Sequence, residues 1–171
     1  MSVPSTAGKQ QFLEWIEKPS TWRMLHDIAG SELYAHLERG FDRERDPYGL
    51  TWQRTARQML EGGKILFKSG RLRRGTTFNA TSKAVRFVNR TPYGATHQQP
   101  GKAPPGGLTI NAKSGGRLKF RIGKRWFSAK TVRIPQRRFM YERGLPLAAP
   151  VAKNITVKIG SAIRRRFEGA R

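Results

Sequence analysis

The stretch GRLKFRIGKRWFSAKTVRIPQRRF (Gly116–Phe139) contains nine Lys or Arg residues and no Asp or Glu. Its basic and apolar residues alternate, a period that is typical of a half-buried β-strand. Successive side chains of a strand point to opposite faces, so the basic residues would share one face and the apolar residues the other. Since Gly123 favours a turn, we predict a β-hairpin over residues 107–133 with one apolar and one strongly cationic face.

Charge is unevenly distributed along the 171 residues, whose formal net charge is +23. Residues 1–53 contain six basic and eight acidic residues, a net of −2, whereas residues 54–171 contain 28 basic and three acidic residues, a net of +25. A merely solvated basic surface does not need this segregation. Such charge attracts nucleic acid, an anionic membrane or an acidic protein, so the later two-thirds of the chain are predicted to meet a polyanion.

Composition argues against secretion and membrane insertion. The chain has no cysteine, which excludes disulfides, thiolate catalysis and cysteine-ligated zinc. No apolar run approaches the roughly 20 residues that span a bilayer, and the first residues lack the layout of a signal peptide. A basic amphipathic helix with an apolar face wide enough to lie in lipid is also missing. We therefore expect a soluble protein with no membrane partner.

Helices are predicted at both ends of the chain. Residues 6–18 favour a short helix that ends at Pro19. A second helix follows to the turn at residues 46–49, because apolar residues recur at every fourth position. Shorter helices are indicated around residues 50–61 and 70–74. The stripe of the second helix consists of Leu25, Ala29, Leu33, Leu37 and Phe41.

The C-terminal segment also has helical spacing, and strands lie between the two helical regions. Pro150 suits a first helical position, and Val151, Ile155 and Ile159 follow at a spacing of four. Residues 91–107 are rich in turn formers. This order predicts an α+β fold: a small antiparallel β-sheet with a long N-terminal helix and a C-terminal helix packed on it, plus the extended basic hairpin. Strands are predicted at residues 82–90, 108–111, 117–122, 125–129 and 132–134.

Residues that could perform catalysis are scarce. Only Glu61, Glu142 and Glu168 supply carboxylates after residue 53, whereas metal-dependent or paired-carboxylate hydrolysis needs several in one pocket. His97 lies in the turn-rich segment with no nucleophile nearby, so we interpret it as a structural histidine whose ring hydrogen-bonds to the backbone. The acidic string at 42–46 lacks the Gly and Glu of a calcium loop. We predict no catalytic residue, no metal and no cofactor.

The aromatic residues of the basic stretch allow two interpretations. Phe120, Trp126 and Phe127 lie among cations, as in surfaces that stack on nucleic-acid bases. However, Phe120 shares its predicted face with Leu118 and Ile122, which favours burial in a core or a subunit interface. The alternation leaves the role of Trp126 open.

Four elements in order resemble one known family. The first element consists of an acidic residue, Pro, a variable residue, Gly and, after a short gap, Trp. In this chain these positions are Asp46, Pro47, Gly49 and Trp52. The second is similar to "iLxxTGxLrxs" and is carried by Ile65, Leu66, Gly70, Leu72 and Arg73, with Ser69 in place of Thr.

The third and fourth elements come later in the chain. The third resembles "YAxiHQxG" and consists of Tyr93, Ala95, His97, Gln98 and Gly101, with Gly94 inserted. The fourth resembles "ipaRpFlg" and consists of Ile134, Pro135, Arg137 and Phe139.

Together these elements resemble the tailed-bacteriophage virion morphogenesis proteins, the tail completion proteins of Mu-like phages and their relatives. The chain departs from that pattern in its N-terminal extension and in the long basic stretch between Gly101 and Val132. The resemblance implies that residues 1–19 are an extension with a short helix and that residues 20–171 form a single tail-completion domain. The basic hairpin would be an insertion at about residues 102–132.

The resemblance implies a structural, non-enzymatic role in the neck of the virion, assembled in the host cytoplasm. Subunits of this kind join head and tail as a homo-oligomeric ring, usually of six copies, around the DNA channel. Their neighbours are the head connector or adaptor and the tail terminator or tail tube, and double-stranded DNA passes through the lumen without sequence-specific contact. The main alternative is a basic protein that binds nucleic acid without sequence preference, as ribosomal or nucleoid proteins do.

The resemblance and the alternation together assign three groups of residues. One group would contact channel DNA or an acidic partner: Arg117, Lys119, Arg121, Lys124, Arg125, Lys130 and Arg133. A second group would lie in a core or subunit interface: Trp52, Leu118, Phe120, Ile122, Ile134 and Phe139. The third group would shape turns: Pro47, Gly49 and His97. Arg137 and Arg138 are predicted to form ion pairs with the acidic first helix. One candidate group is Asp42, Glu44 and Asp46 of the same or an adjacent subunit.

Overall fold

The computed structural model describes residues 6–98 and 107–168. The helices are α1 (Thr6–Ile16), α2 (Pro19–Arg43), α3 (Ala56–Glu61), α4 (Arg71–Arg74), α5 (Gly94–Gln98) and α6 (Ala149–Glu168). The strands are β1 (Thr76–Ala80), β2 (Val85–Asn89), β3 (Gly107–Asn111), β4 (Leu118–Ile122), β5 (Arg125–Ala129) and β6 (Thr131–Pro135).

The chain divides into two compact units. The helical unit comprises Met1–His36, Thr77–Phe87 and Leu147–Arg171, and the hairpin unit comprises Leu37–Thr76 and Val88–Pro146. Helix α2 and strands β1 and β2 contribute residues to both units.

Aromatic and ionic contacts hold the helical unit together. The Trp15 ring of α1 meets the Phe167 ring of α6 edge to face, with centroids 5.3 Å apart. On α2, the buried Glu32 carboxylate accepts a hydrogen bond from Lys158 Nζ at 2.5 Å. Gly30 lies in the middle of α2 because a Cβ there would come within 2.5 Å of the Phe78 ring of β1. Of the predicted every-fourth-residue stripe, Leu25 and Leu33 are buried in this unit, whereas Leu37 and Phe41 are buried in the hairpin unit.

The hairpin unit has its own apolar core. The Phe41 ring lies 5.4 Å from the Trp52 ring and 6.0 Å from the Phe139 ring, measured between centroids. Ile65 and Leu72 complete the buried cluster. The Trp52 indole N–H, which would cost free energy if buried without a partner, donates to the Arg138 carbonyl at 2.8 Å.

The turn after α2 is fixed by a side chain. The carboxylate of Asp46 accepts the backbone N–H groups of Tyr48 and Leu50 at 3.0 and 2.8 Å. Pro47 is buried in this turn, and Gly49 has φ of +95°, which favours glycine. The structure thus places both residues in the turn that the sequence predicted.

The predicted α+β class is confirmed, with helices at both ends and an extended basic hairpin. The strands pair as three two-stranded sheets, β1 with β2, β3 with β6 and β4 with β5. Two elements were not predicted, β1 and the short helix α5 within a segment interpreted as turns. Parts of two predicted segments, residues 1–5 and 102–106, lie outside the described residues, as does Gly101. Within the described residues, no helix combines the length and apolar character that crossing a membrane requires.

Candidate interaction surface: the basic hairpin

The basic stretch forms a long hairpin of two antiparallel ladders, β3 with β6 and β4 with β5. Between the ladders, residues 112–117 on one strand lie opposite Lys130 alone on the other. The Gly116 N–H donates to the Lys113 carbonyl at 2.8 Å, so this excursion contains a tight turn. At the far end Gly123 has φ of +58°, which suits a two-residue connection between β4 and β5.

The apolar face of the hairpin is directed at its own unit. Phe120 lies opposite Phe127, and their rings stack with centroids 5.9 Å apart at an interplanar angle of 16°. Phe120 and Ile122 of β4 and Val132 and Ile134 of β6 line one groove of about 530 Å³ together with residues 53–56. These side chains are half-buried, so the face is covered only in part.

The opposite face of the β4–β5 ladder is cationic and open. Lys119 lies across from Ser128, and Arg121 lies across from Trp126, so these four side chains share this face. Trp126 is 72% exposed, more than any other large apolar side chain in the described residues. Arg117 does not extend outward, because its guanidinium donates to the Ser128 hydroxyl at 2.8 Å and the Ser128 carbonyl at 2.9 Å. The alternation predicted the face, but not that Arg117 folds along it.

The remaining cations of the predicted contact group are exposed. Within residues 6–98 and 107–168, five of them form no ion pair: Lys119, Arg121, Lys124, Arg125 and Lys130. Arg133 lies opposite Thr109 and is also exposed. The five cations without an ion pair produce a positive potential that a nearby polyanion would neutralise.

The distal turn of the hairpin is held against α3. The Glu61 carboxylate at the end of that helix lies against the backbone of Gly123, in the space that a side chain at position 123 would occupy. Strand β4 also contacts α3. The hairpin therefore contacts α3 near its turn and is anchored there as well as at its base.

A glutamine behind the hairpin joins two of the sequence elements. The Gln98 side-chain oxygen accepts the backbone N–H groups of Phe139 and Met140 at 3.1 and 3.0 Å, and its amide donates to the Met140 carbonyl at 3.0 Å. Gln136 donates to the Gln98 carbonyl at 2.9 Å. These elements lie about 40 residues apart in the sequence. The sequence does not reveal that a side chain of the third element hydrogen-bonds to the backbone of the fourth.

Arg137 is buried and bonded to backbone carbonyls instead of carboxylates. Its Nε donates to the Gln53 carbonyl at 2.7 Å and its Nη2 to the Arg54 carbonyl at 3.3 Å. Burial lowers the pKa of Arg137 from its ordinary value. Arg137 does not pair with the acidic segment of its own subunit, because its buried guanidinium lies against backbone carbonyls instead. Arg138 does approach Asp46, at 3.9 Å.

His97 lies on α5 beside Arg137. Burial and then the Arg137 charge lower the pKa of His97 to about 4, so the ring is neutral at pH 7. Its carbonyl accepts the Arg137 backbone N–H at 2.9 Å. Its buried Nδ1 has no hydrogen-bond partner among the described residues, whereas the sequence interpretation had the ring bonded to backbone. The backbone carbonyl of His97, and not its ring, therefore bonds to the segment that contains Arg137.

The predicted core or interface group separates into two sets. Trp52 and Phe139 are fully enclosed in the hairpin unit. The other four are half-buried on or beside the hairpin: Leu118, Phe120, Ile122 and Ile134. The described residues contain no group of three His, Asp or Glu side chains that could hold a metal ion.

The most distinctive surface of this α+β fold is an exposed cationic hairpin, a feature that suits contact with a polyanion. The family comparison is more specific, since residues 6–156 match the phage virion morphogenesis family. The chain belongs to that family, and its role lies in the structure or assembly of the phage virion. Neither the curated proteins nor the solved structures contain a match to this chain.

Proposed function

We propose that this protein is a non-enzymatic subunit of the phage neck, a tail completion or head–tail joining protein. Six copies form a ring around the DNA channel, between the head connector and the tail tube. Family membership over residues 6–156 supports a virion role, and the resemblance of four ordered sequence elements to tail completion proteins supports the neck position.

The observation that carries the proposal is the set of unpaired cations on an anchored hairpin. Residues 54–171 have a net charge of +25. Five exposed hairpin cations have no carboxylate partner in the described residues: Lys119, Arg121, Lys124, Arg125 and Lys130. A neck ring supplies two polyanions, the phosphates of the passing genome and acidic surfaces of neighbouring rings. Lys and Arg contacts to phosphates carry no sequence information, which suits DNA that must slide.

Electron microscopy tests the proposal directly. The purified protein, alone or with its neck neighbours, should form a ring whose central hole admits duplex DNA. Antibody labelling of intact virions should place the protein at the head–tail junction. A monomer in solution that is absent from the neck of the particle would overturn the proposal.

A basic nucleic-acid-binding protein predicts a different outcome. It would bind short duplex DNA or RNA tightly as a monomer, and its affinity would fall steeply with salt because each neutralised phosphate releases counterions. The neck protein should bind duplex DNA weakly as a monomer. Measuring affinity for a 30-base-pair duplex at several salt concentrations, beside the oligomeric state, separates the two.

A further inference from the structure

We infer that the cationic face of the β4–β5 ladder, centred on Trp126, docks on an acidic protein surface and does not face DNA. The partner is a protein other than this chain, whose surface carries carboxylates around an apolar depression that accepts an indole ring. The inference rests on the proposed function, because it takes this partner from among the neighbouring neck proteins.

Trp126 is the side chain that distinguishes this face from an ordinary basic surface. Single exposed apolar residues are common and need no explanation by themselves. Trp126, however, is 72% exposed and lies directly across from Arg121, with Lys119 two residues along the neighbouring strand. Tryptophan and arginine are the residues most enriched among those that dominate binding energy at protein interfaces.

Contacts within the chain also order this face before any partner arrives. Arg117 makes two hydrogen bonds to Ser128, beside the indole. On the reverse side the Phe120 and Phe127 rings stack. The Gly123 turn rests against Glu61. A preorganised surface loses little conformational entropy on binding, which is how a small contact attains useful affinity.

Duplex DNA does not suit an indole on this face. The bases of a duplex are stacked inward, so an aromatic ring can stack on them only after they have been unstacked. A genome that slides through a channel offers phosphates, for which Lys and Arg suffice. An acidic protein surface offers carboxylates to Lys119 and Arg121 and an apolar depression to Trp126, and so uses every group on the face.

A second copy of this chain does not provide that acidic surface. Most of its carboxylates in the described residues are already bonded within the chain. Glu32 pairs with Lys158, Asp42 with Arg73, and Glu142 with Arg138. A second copy also has a net charge of +23, so a different, acidic protein complements this face better.

Photo-crosslinking from position 126 in assembled particles identifies the occupant. Phage carrying Trp126→p-benzoylphenylalanine is purified and irradiated, and the product is analysed by mass spectrometry. The expected adduct joins this chain to a different virion protein through a peptide rich in Asp and Glu. A nuclease-sensitive adduct with DNA, an adduct between two copies of this chain, or no adduct in assembled particles would overturn the inference.

Substitution provides an independent measurement. Trp126→Ala should lower incorporation of the protein into particles at least tenfold, while its affinity for a 30-base-pair duplex changes less than twofold. Trp126→Tyr should restore most of the incorporation. Met59→Ala is the matched control, because Met59 is 67% exposed but lies on α3, and it should incorporate normally. Equal loss of duplex binding and incorporation in Trp126→Ala would refute a protein partner.

The proposed function can fail separately. Wild-type protein located at the neck, together with a DNA adduct from position 126, would leave the neck role intact and remove only the acidic partner. Wild-type protein absent from the neck would remove the neck role whatever position 126 contacts.

Discussion

The cations around Arg73 and those on the hairpin are used in opposite ways. Arg73 is enclosed by carboxylates, with Nε bonded to Glu38 at 2.5 Å and Nη1 to Asp42 at 2.9 Å, and the Glu38 hydrogen bond is the largest cause that raises its pKa. Lys119 and Arg121 on the hairpin have no such neighbours among the described residues. The difference teaches that charge near α2 stabilises this fold, whereas charge on the hairpin remains available to a partner.

The largest loss of stability should come from removing a buried ring from the apolar core of the hairpin unit. Phe139→Ala should lower the free energy of unfolding by about 3–5 kcal/mol, because a buried ring leaves a cavity. Trp126→Ala should change it by less than about 0.5 kcal/mol, because the indole is exposed. Urea unfolding followed by circular dichroism measures both variants. Similar losses for the two would mean that the hairpin face is part of the fold.

Acid should lower the free energy of unfolding, because burial disfavours the protonated form of His97. The pKa of His97 is lowered from 6.5 to about 4 in the folded protein, so between these pH values the unfolded chain binds a proton that the folded chain does not. Its contribution to stability is complete above pH 6.5, falls as the pH drops, and is lost below about pH 4. The loss is about 3 kcal/mol.

The matched control for this pH effect is His97→Gln, which cannot titrate. Urea unfolding at pH 7.5 and pH 4 gives the difference in unfolding free energy between wild type and His97→Gln at each pH. That difference should move by about 3 kcal/mol in favour of the variant at low pH. A constant difference would show that the ring is not desolvated.

Arg73→Ala sharpens the comparison of paired and unpaired charge. It should lower the free energy of unfolding by about 1–2 kcal/mol, because it leaves the half-buried Glu38 carboxylate without its partner, whereas Asp42 keeps Lys64 at 3.7 Å. Arg121→Ala, the matched removal of one cation from the hairpin, should cost less than about 0.5 kcal/mol. Chemical denaturation at low and high salt measures both. Equal costs would contradict the distinction.

The smallest effect on stability should accompany a large effect on function. The double change Lys119→Glu and Arg121→Glu should leave the unfolding free energy within about 0.5 kcal/mol of wild type, because the side chains are exposed and unpaired. Plaque counts should nevertheless fall by at least tenfold. The control Lys83→Glu with Arg86→Glu changes the net charge equally on exposed positions outside the hairpin. Normal infectivity of the hairpin variant would remove its proposed role.

The sequence predicted those elements whose own period specifies them. The every-fourth-residue stripe of α2 and the alternation of β4 and β5 are local signals, and each element lies within a few residues of its predicted bounds. Strand β1, with the sequence TTFNA, has little alternation, and it forms where Phe78 packs on Gly30. Helix α5 is only five residues long, and Gln98 within it bonds residues about 40 positions away. Such partners are not visible in local sequence.

The candidate surface was predictable in outline and not in detail. Alternation predicts a cationic face containing Lys119 and Arg121, but the place of Trp126 depends on the register that sets it across from Arg121. The bond from Arg117 to Ser128 likewise depends on which residues face each other. The alternation of residues predicts that a cationic face exists. Only the strand register shows which side chains lie next to each other on it.

The excursion opposite Lys130 makes the hairpin tolerant of changes in length. Residues 112–117 leave the ladder and return to it, so an inserted or deleted residue there can be absorbed by the loop and leaves the pairing of β4 with β5 intact. A single insertion within β4 would instead reverse which side chains are inward and bury the cations. Related proteins whose partners lie at different distances could therefore change the length of the hairpin at residues 112–117 and keep the same side chains on its contact face.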